Sequence, residues 1–257
     1  MTYVPPGGSW ERRVPAELGL RADGLAAAIA FHRAHESRWA RDFMTASGRF
    51  IGVADEPPDS RVLGPVKPRG DLNGVVIRHG YVAAAWGDTA RSDMSFSIAK
   101  SYLSIVAGLA VAGGLIRNLD DPVCDYKLDD AFDSAHNRTI TWRHLLQQTS
   151  EWQGTMWGKP DTIDHHRDLG QSELGRADKG RARPLNPPGT FWEYNDVRVN
   201  RLSLCLLQVF RRPLADVLRE VVMDPIGASA DWAWQPYDNS WIECDGRRLP
   251  SVPGGSH

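Results

Sequence analysis

Residues 98–115 read IAKSYLSIVAGLAVAGGL, a run in which Lys100 is the single charged side chain. A membrane-crossing helix needs about 20 apolar residues, and this run falls short of that. It therefore predicts a core helix that stops at Gly113-Gly114. A helix apolar on every side is a buried one, so the rest of the fold is expected to close around it. Ahead of it stand two apolar runs, 74–78 and 81–86, separated by His79-Gly80. That pattern predicts a hairpin.

Ser97 opens this run and Lys100 follows three residues later. On a helix, positions i and i+3 share a face. A serine hydroxyl is a weak nucleophile until a base takes its proton, and a lysine desolvated at a helix N-terminus can be that base. The chain has only five lysines against 25 arginines, so a lysine in this place is informative. With 17 serines present, about 0.3 Ser-x-x-Lys matches arise by chance, and this is the single one. The competing reading is a capping serine followed by a lysine that snorkels to solvent.

Further along, Asp23 is expected to cap a helix over 21–43 that carries Leu25, Ala28, Ile29, His32 and Trp39. The stretch before it, 1–20, and the proline-rich 55–70 read as irregular, as does the Asp-rich 117–140. Thr141 is expected to cap a short helix to Gln148. A polar, Gly- and Trp-containing excursion spans 151–190. Pro187-Pro188-Gly189 then predicts a turn before Tyr194-Asn195-Asp196. Helices are predicted over 197–210 and 214–223, and strand or loop from Asp231 with three tryptophans. A tyrosine after such a turn can present its phenol to a lysine and shuttle a proton. Equally, it can pack at a helix start with Asp196 as the cap.

Other chemistries find little support. The 30 Lys+Arg and 32 Asp+Glu leave a net charge of −2, so no field draws nucleic acid or an anionic membrane. Cys124, Cys205 and Cys244 lack the spacing of a disulfide framework or a zinc site. Asp161, Asp164, His165 and His166 are metal-capable types, but adjacent histidines point apart, so no metal is expected. His32 and His35 read as an exposed helix face. No Gly-x-Ser-x-Gly elbow, phosphate loop or dinucleotide fingerprint occurs, and no cofactor is expected. The N-terminus lacks an apolar signal region, so a cytoplasmic location is the default expectation.

Five segments in order carry a resemblance. Ser97-Ile-Ala-Lys100, Leu119-Asp-Asp-Pro-Val123, Ile140 to Ser150, Pro188-Gly-Thr with Tyr194-Asn-Asp196, and Asp224-Pro-Ile-Gly227 resemble landmarks of the β-lactamase-related serine hydrolases. That family holds class C β-lactamases, D-alanyl-D-alanine carboxypeptidases, esterases and 6-aminohexanoate-dimer hydrolases. The resemblance covers about residues 70 to 230. It implies an α+β fold, an antiparallel sheet flanked by helices with a mainly helical region inserted. The expected division is 1–116 and 231–257 for the α/β part and 117–230 for the helical part. It also implies that Ser97 is acylated, that Lys100 is its base or proton relay, and that Tyr194 serves the leaving group and later water. The Ser97 N–H would be one oxyanion donor. The partner is then a small ester, amide or lactam.

Three departures stand out. Asp196 replaces the asparagine of the β-lactamases, an acceptor-only group in place of an amide donor, which puts β-lactam binding in doubt. Glu151-Trp152 replaces the usual Gly-Leu after Thr149-Ser150. No Lys-Thr-Gly-like motif follows Tyr194, so the chain is expected to be an N-terminal portion of a longer hydrolase. The tryptophan-bearing excursion and the missing signal region resemble the 6-aminohexanoate-dimer hydrolase and esterase branch. Asp196, Trp152 and Trp157 are the expected substrate contacts, with Trp192 as a further wall; ordinary core or surface tryptophans are the other reading. Two alternatives remain: a non-catalytic acyl-binding sensor of the same fold, and an inactive fragment. The sequence leaves the oligomeric state open.

Overall fold

The computed structural model describes residues 3–6, 9–37, 40–44, 63–167 and 178–254. The expected helix position Trp39 and residues 55–62 of the expected loop lie outside them. The chain divides into two compact units. The first comprises Met1–Gly48, Pro65–Met94 and Arg219–Trp232; the second comprises Arg49–Gly64, Ser95–Leu218 and Ala233–His257.

In the first unit, β1 (Gly74–Arg78) and β2 (Tyr81–Trp86) pair antiparallel around His79-Gly80, the predicted hairpin. Its lead-in is more ordered than the sequence suggests. Arg13 N–H donates to Val82 O and Val82 N–H to Glu11 O, so the segment adds to the edge of β2. Helix α1 (Ala22–Ala34) is shorter than expected and starts ahead of Asp23, with Arg21 at the cap position. His35 Nδ1 meets Phe31 O at 2.7 Å at its C-terminal end. His32 is not a bystander on an open face, because it accepts from Trp86 Nε1 at 3.2 Å.

The second unit is built on α2 (Ala99–Ala112), α3 (Trp142–Leu146), α4 (Asp196–Phe210) and α5 (Leu214–Leu218). Leu103, Val106 and Ala110 of α2, Trp142 and Leu145 of α3, and Leu202, Leu206 and Leu207 of α4 are core residues. The expectation that α2 is buried on all sides is corrected. Ile105 and Val111 in α2, with Ile98 and Leu115 beside its ends, remain exposed. The enclosed helix is α4, in which Val197 through Leu207 are all buried. Its polar side chains go inside because each finds a partner. Arg198 meets Glu151 and Asp161, Arg201 meets Asp129, Ser203 donates to Val252 O, and Asn200 accepts from Gly254 N–H. The segment 251–254 is thereby tied to α4, and a Cβ at Gly254 would lie 2.5 Å from Leu103 Cδ2.

Helix α3 is capped as the sequence predicts. Thr141 Oγ1 accepts from His144 N–H at 3.2 Å, and His144 Nδ1 accepts from Thr141 N–H at 3.3 Å. This is a capping box with histidine where Glu or Gln is usual. Two short ladders complete the unit: β3 (Thr155–Met156) with β4 (Lys159–Pro160), and β5 (Trp241–Cys244) with β6 (Arg247–Pro250). Asp245-Gly246 turns the second with both φ positive, the Asp-Gly signature of a hairpin.

The separated sequence landmarks of this unit pack on one another. Arg143 N–H donates to Leu119 O and Val123 N–H to Ile140 O. Gly189 N–H donates to Thr149 O, and Glu193 N–H to Gln148 O. Gly189 is held at φ +88, where a Cβ would lie 2.7 Å from His144 Nε2. Both the backbone and the space thus demand glycine. Gly189→Ala is expected to lower the urea midpoint by an amount equivalent to more than about 1 kcal/mol. An unchanged midpoint would show that the turn yields freely.

Candidate active site

Ser97 lies in a 3-10 turn, Phe96–Ile98, that runs directly into α2. The turn is entered through Phe96 at φ +46, a left-handed conformation rare for an aromatic residue. Lys100 follows in the first turn of α2, and its Nζ lies 3.0 Å from Ser97 Oγ. Tyr194 arrives from the other direction, 97 positions along the chain, and its hydroxyl donates to Ser97 Oγ at 2.6 Å. Lys100 Nζ also stands 4.4 Å from the centre of the Tyr194 ring. The three residues singled out by sequence therefore share one hydrogen-bonded cluster.

Local chemistry explains how Tyr194 is aimed. Successive side chains of an extended segment point to opposite sides. Glu193 and Asn195 are buried, and Tyr194 between them turns to Ser97. Glu193 accepts from Arg183, Arg198 and the His166 N–H. Asn195 donates to Asp161 O, and its side chain accepts from Arg198 N–H as the cap of α4. The cap is therefore Asn195, and Asp196 is the first residue of the helix.

Asp196 joins the cluster as an ion-pair partner. Its Oδ1 lies 2.6 Å from Lys100 Nζ and its Oδ2 lies 2.6 Å from Arg167 Nη1. Its backbone N–H donates to Asp164 Oδ2 at 2.8 Å. Burial by itself would raise the Asp196 carboxyl; the charges of Lys100 and Arg167 outweigh it and hold the group below the ordinary carboxylate range. The Asp164 carboxyl moves the opposite way. Burial and the neighbouring Asp196 charge push it up to about 6, against the pull of Arg167.

Behind this cluster lies a buried ionic network. Glu151 takes Arg183 on both oxygens, at 2.6 and 2.7 Å, and Arg198 at 2.7 Å. It also accepts from Asn186 N–H at 2.9 Å. Although burial raises it, hydrogen bonds from Arg183, the Asn186 N–H and Arg198 bring its carboxyl down to about 2. Glu151 sits at φ +49. This accounts for the departure at that position: glycine suits a left-handed backbone, and here a glutamate is kept there by its two arginines.

The two tryptophans expected to touch substrate are placed elsewhere. Trp152 is 2% exposed, donates from Nε1 to Ala131 O and lies under Arg201, so it is a core residue. Trp157 packs edge-on against Tyr237 in the β3–β4 turn. Trp192 instead is 57% exposed, and its ring centre lies 6.5 Å from that of Tyr194. Asp161 and His165 belong to the ionic network around Arg198. Among the described residues no cluster of His, Cys, Asp or Glu is arranged to hold a metal ion. Sequence reasoning missed Arg167, Arg183 and Glu193, and weighed Asp164 for metal alone. Arginines are too common in this chain for a single one to stand out.

No curated protein matches the chain. A solved β-lactamase/D-alanine carboxypeptidase from Yersinia pestis, in complex with citrate, is 22% identical with a TM-score of 0.35. The match covers 51% of this chain and 38% of that one. A penicillin-binding protein from Bacillus halodurans is 21% identical over 63% of this chain and 54% of its own, TM-score 0.38. EstCE1, a hydrolase with promiscuous acyltransferase activity, is 21% identical over 68% and 52%, TM-score 0.37. The chain thus spans about half or less of each of these proteins. The sequence model of the beta-lactamase family matches residues 75–240, well over half of the chain. With helices, small antiparallel sheets and a matched segment that takes in Ser97, Lys100 and Tyr194, the chain belongs to the beta-lactamase family, whose members are generally serine hydrolases.

Proposed function

We propose that the protein is a serine hydrolase that forms an acyl-enzyme on Ser97 and acts on small esters. The observation that carries this reading is the placement of Ser97 Oγ 3.0 Å from Lys100 Nζ and 2.6 Å from Tyr194 OH. A nucleophile with two proton-carrying groups in hydrogen-bond reach is what acyl transfer requires.

In this mechanism Ser97 Oγ bonds to the carbonyl carbon while its proton passes to the neutral amine of Lys100. Tyr194 then gives its phenolic proton to the departing alkoxide as the ester C–O bond breaks. The proton on Lys100 restores the phenol. In the second half Tyr194 first passes its phenolic proton to the neutral Lys100 and, as a phenolate, takes a proton from water, whose oxygen attacks the acyl carbon; Ser97 leaves as the Lys100 ammonium gives its proton back to Oγ. The N–H of Ser97, in the 3-10 turn that leads into α2, would serve as one donor to the developing oxyanion.

Asp196 argues for esters over β-lactams. Both of its oxygens are engaged by cations, so it accepts and offers no amide donor to a substrate carbonyl. No described helix is long and apolar enough to cross a membrane.

Intact mass after mixing with a p-nitrophenyl acyl ester tests the reading. An adduct of one acyl group is expected, with continued nitrophenol release, and neither in Ser97→Ala. A burst and a lasting adduct without turnover would point instead to an acyl-binding sensor. No adduct on folded protein would remove the nucleophile role.

A further inference from the structure

The ion pair between Lys100 and Asp196 is one part of a longer arrangement. Lys100 takes Oδ1 of Asp196 and Arg167 takes Oδ2, each at 2.6 Å. Arg167 Nη1 also lies 3.4 Å from Asp164 Oδ1, while Asp164 Oδ2 holds the Asp196 N–H. Cation and carboxylate thus alternate in the order Lys100, Asp196, Arg167, Asp164, all with side chains largely shielded from solvent. Around Asp196 stand Lys100 from α2, Arg167 and Asp164 from the excursion, and Tyr194 from the strand-like segment before α4. Lys179 acts on Asp164 from further along the excursion.

A carboxylate shared by two cations grips each less firmly than it would grip one alone. Lys100 can take the Ser97 proton only after its own has left, so the grip of Asp196 on Nζ matters to the base. Asp164 works in the opposite sense, because it draws Arg167 away from Asp196. We propose that Arg167 is a positioning residue that divides the Asp196 carboxylate with Lys100, and so sets how firmly Lys100 holds its proton. Its effect on rate rests on the acyl-enzyme reading above; its effect on Lys100 rests on the ion-pair geometry alone.

Two charge changes should act with opposite sign. In Arg167→Gln, Asp196 serves Lys100 alone, and the ammonium should persist to higher pH. In Asp164→Asn, Arg167 loses a carboxylate that competes with Asp196 for it, and the ammonium should give up its proton at lower pH. A loosening of the fold would not produce opposite shifts. Arg167→Lys keeps the charge and should return the midpoint toward that of the parent protein.

The measurement is a titration of lysine labelled with 13C at the ε carbon, read by NMR on the full chain. With only five lysines, the Lys100 signal is assigned by its loss in Lys100→Arg. The expected displacement is about one pH unit upward for Arg167→Gln and a smaller one downward for Asp164→Asn. The pH at which p-nitrophenyl ester acylation rises should move in parallel. Should Arg167→Gln fail to fold, the downward shift in Asp164→Asn still decides. Unmoved midpoints, or shifts of the same sign, overturn the proposal even if the enzyme turns over. Opposite shifts without any acylation support the ion-pair control and remove the hydrolase reading instead.

Discussion

Tyr194→Phe is expected to fold normally and to lose about 10²- to 10⁴-fold in ester turnover. The substitution removes one oxygen atom and little else. The ring stays between Lys100, 4.4 Å from its centre, and Arg167, 4.9 Å from it. Glu193 and Asn195, which aim the residue, keep their buried partners. What vanishes is the hydrogen bond of 2.6 Å to Ser97 Oγ and the proton destined for the leaving group. The loss should therefore depend on the alcohol released. A nitrophenolate departs without much help, whereas an alkoxide needs its proton, so alkyl esters should suffer more. Steady-state kinetics on a nitrophenyl and an alkyl ester of one acid would check this. Equal activity of the variant on both esters, within a few-fold of the parent, would take Tyr194 out of the reaction.

The parts of the site visible in sequence are those set by local spacing. Ser97 and Lys100 lie three apart, so helical geometry alone puts them on one face. The Pro-Pro-Gly turn announces Tyr194 because Gly189 takes a backbone conformation that other residues resist. The partner that makes each buried charge tolerable lies far off. Arg198 meets Glu151 across 47 positions, and Arg201 meets Asp129 across 72. Hydropathy therefore assigned the core to α2, whose side chains are apolar, and passed over α4, whose arginines are neutralised from elsewhere. Arg167 and Asp164 were hidden for the same reason. Their meaning lies in Asp196, some 30 residues further on. The Asp245-Gly246 hairpin is a different case, since its Asp-Gly turn signal stood in the sequence while Glu243, Arg247 and Arg248 broke the apolar pattern of the flanking strands.

Glu151→Ala should cost about 3–5 kcal/mol, because it leaves Arg183 and Arg198 in the interior short of a counter-charge. Glu193 and Asp161 remain nearby, but each is already engaged with the same arginines. Glu151→Gly should cost about 1 kcal/mol less than Glu151→Ala. Both variants lose the carboxylate, but glycine adopts φ +49 without the Cβ clash that alanine retains. That difference separates backbone strain from charge at a single position. Acid should expose the charge contribution in the parent protein. The Glu151 carboxyl is held at about 2 in the fold against an ordinary 4.5. A group lowered in this way stabilises the fold above its ordinary value, and the stabilisation is lost as pH falls from about 4.5 toward 2. The alanine variant should lack that component of the acid sensitivity. Urea unfolding of the three proteins at neutral pH and near pH 3 checks both statements. If Glu151→Ala unfolds within about 1 kcal/mol of the parent, the network is not what holds the segment carrying Tyr194 against α4.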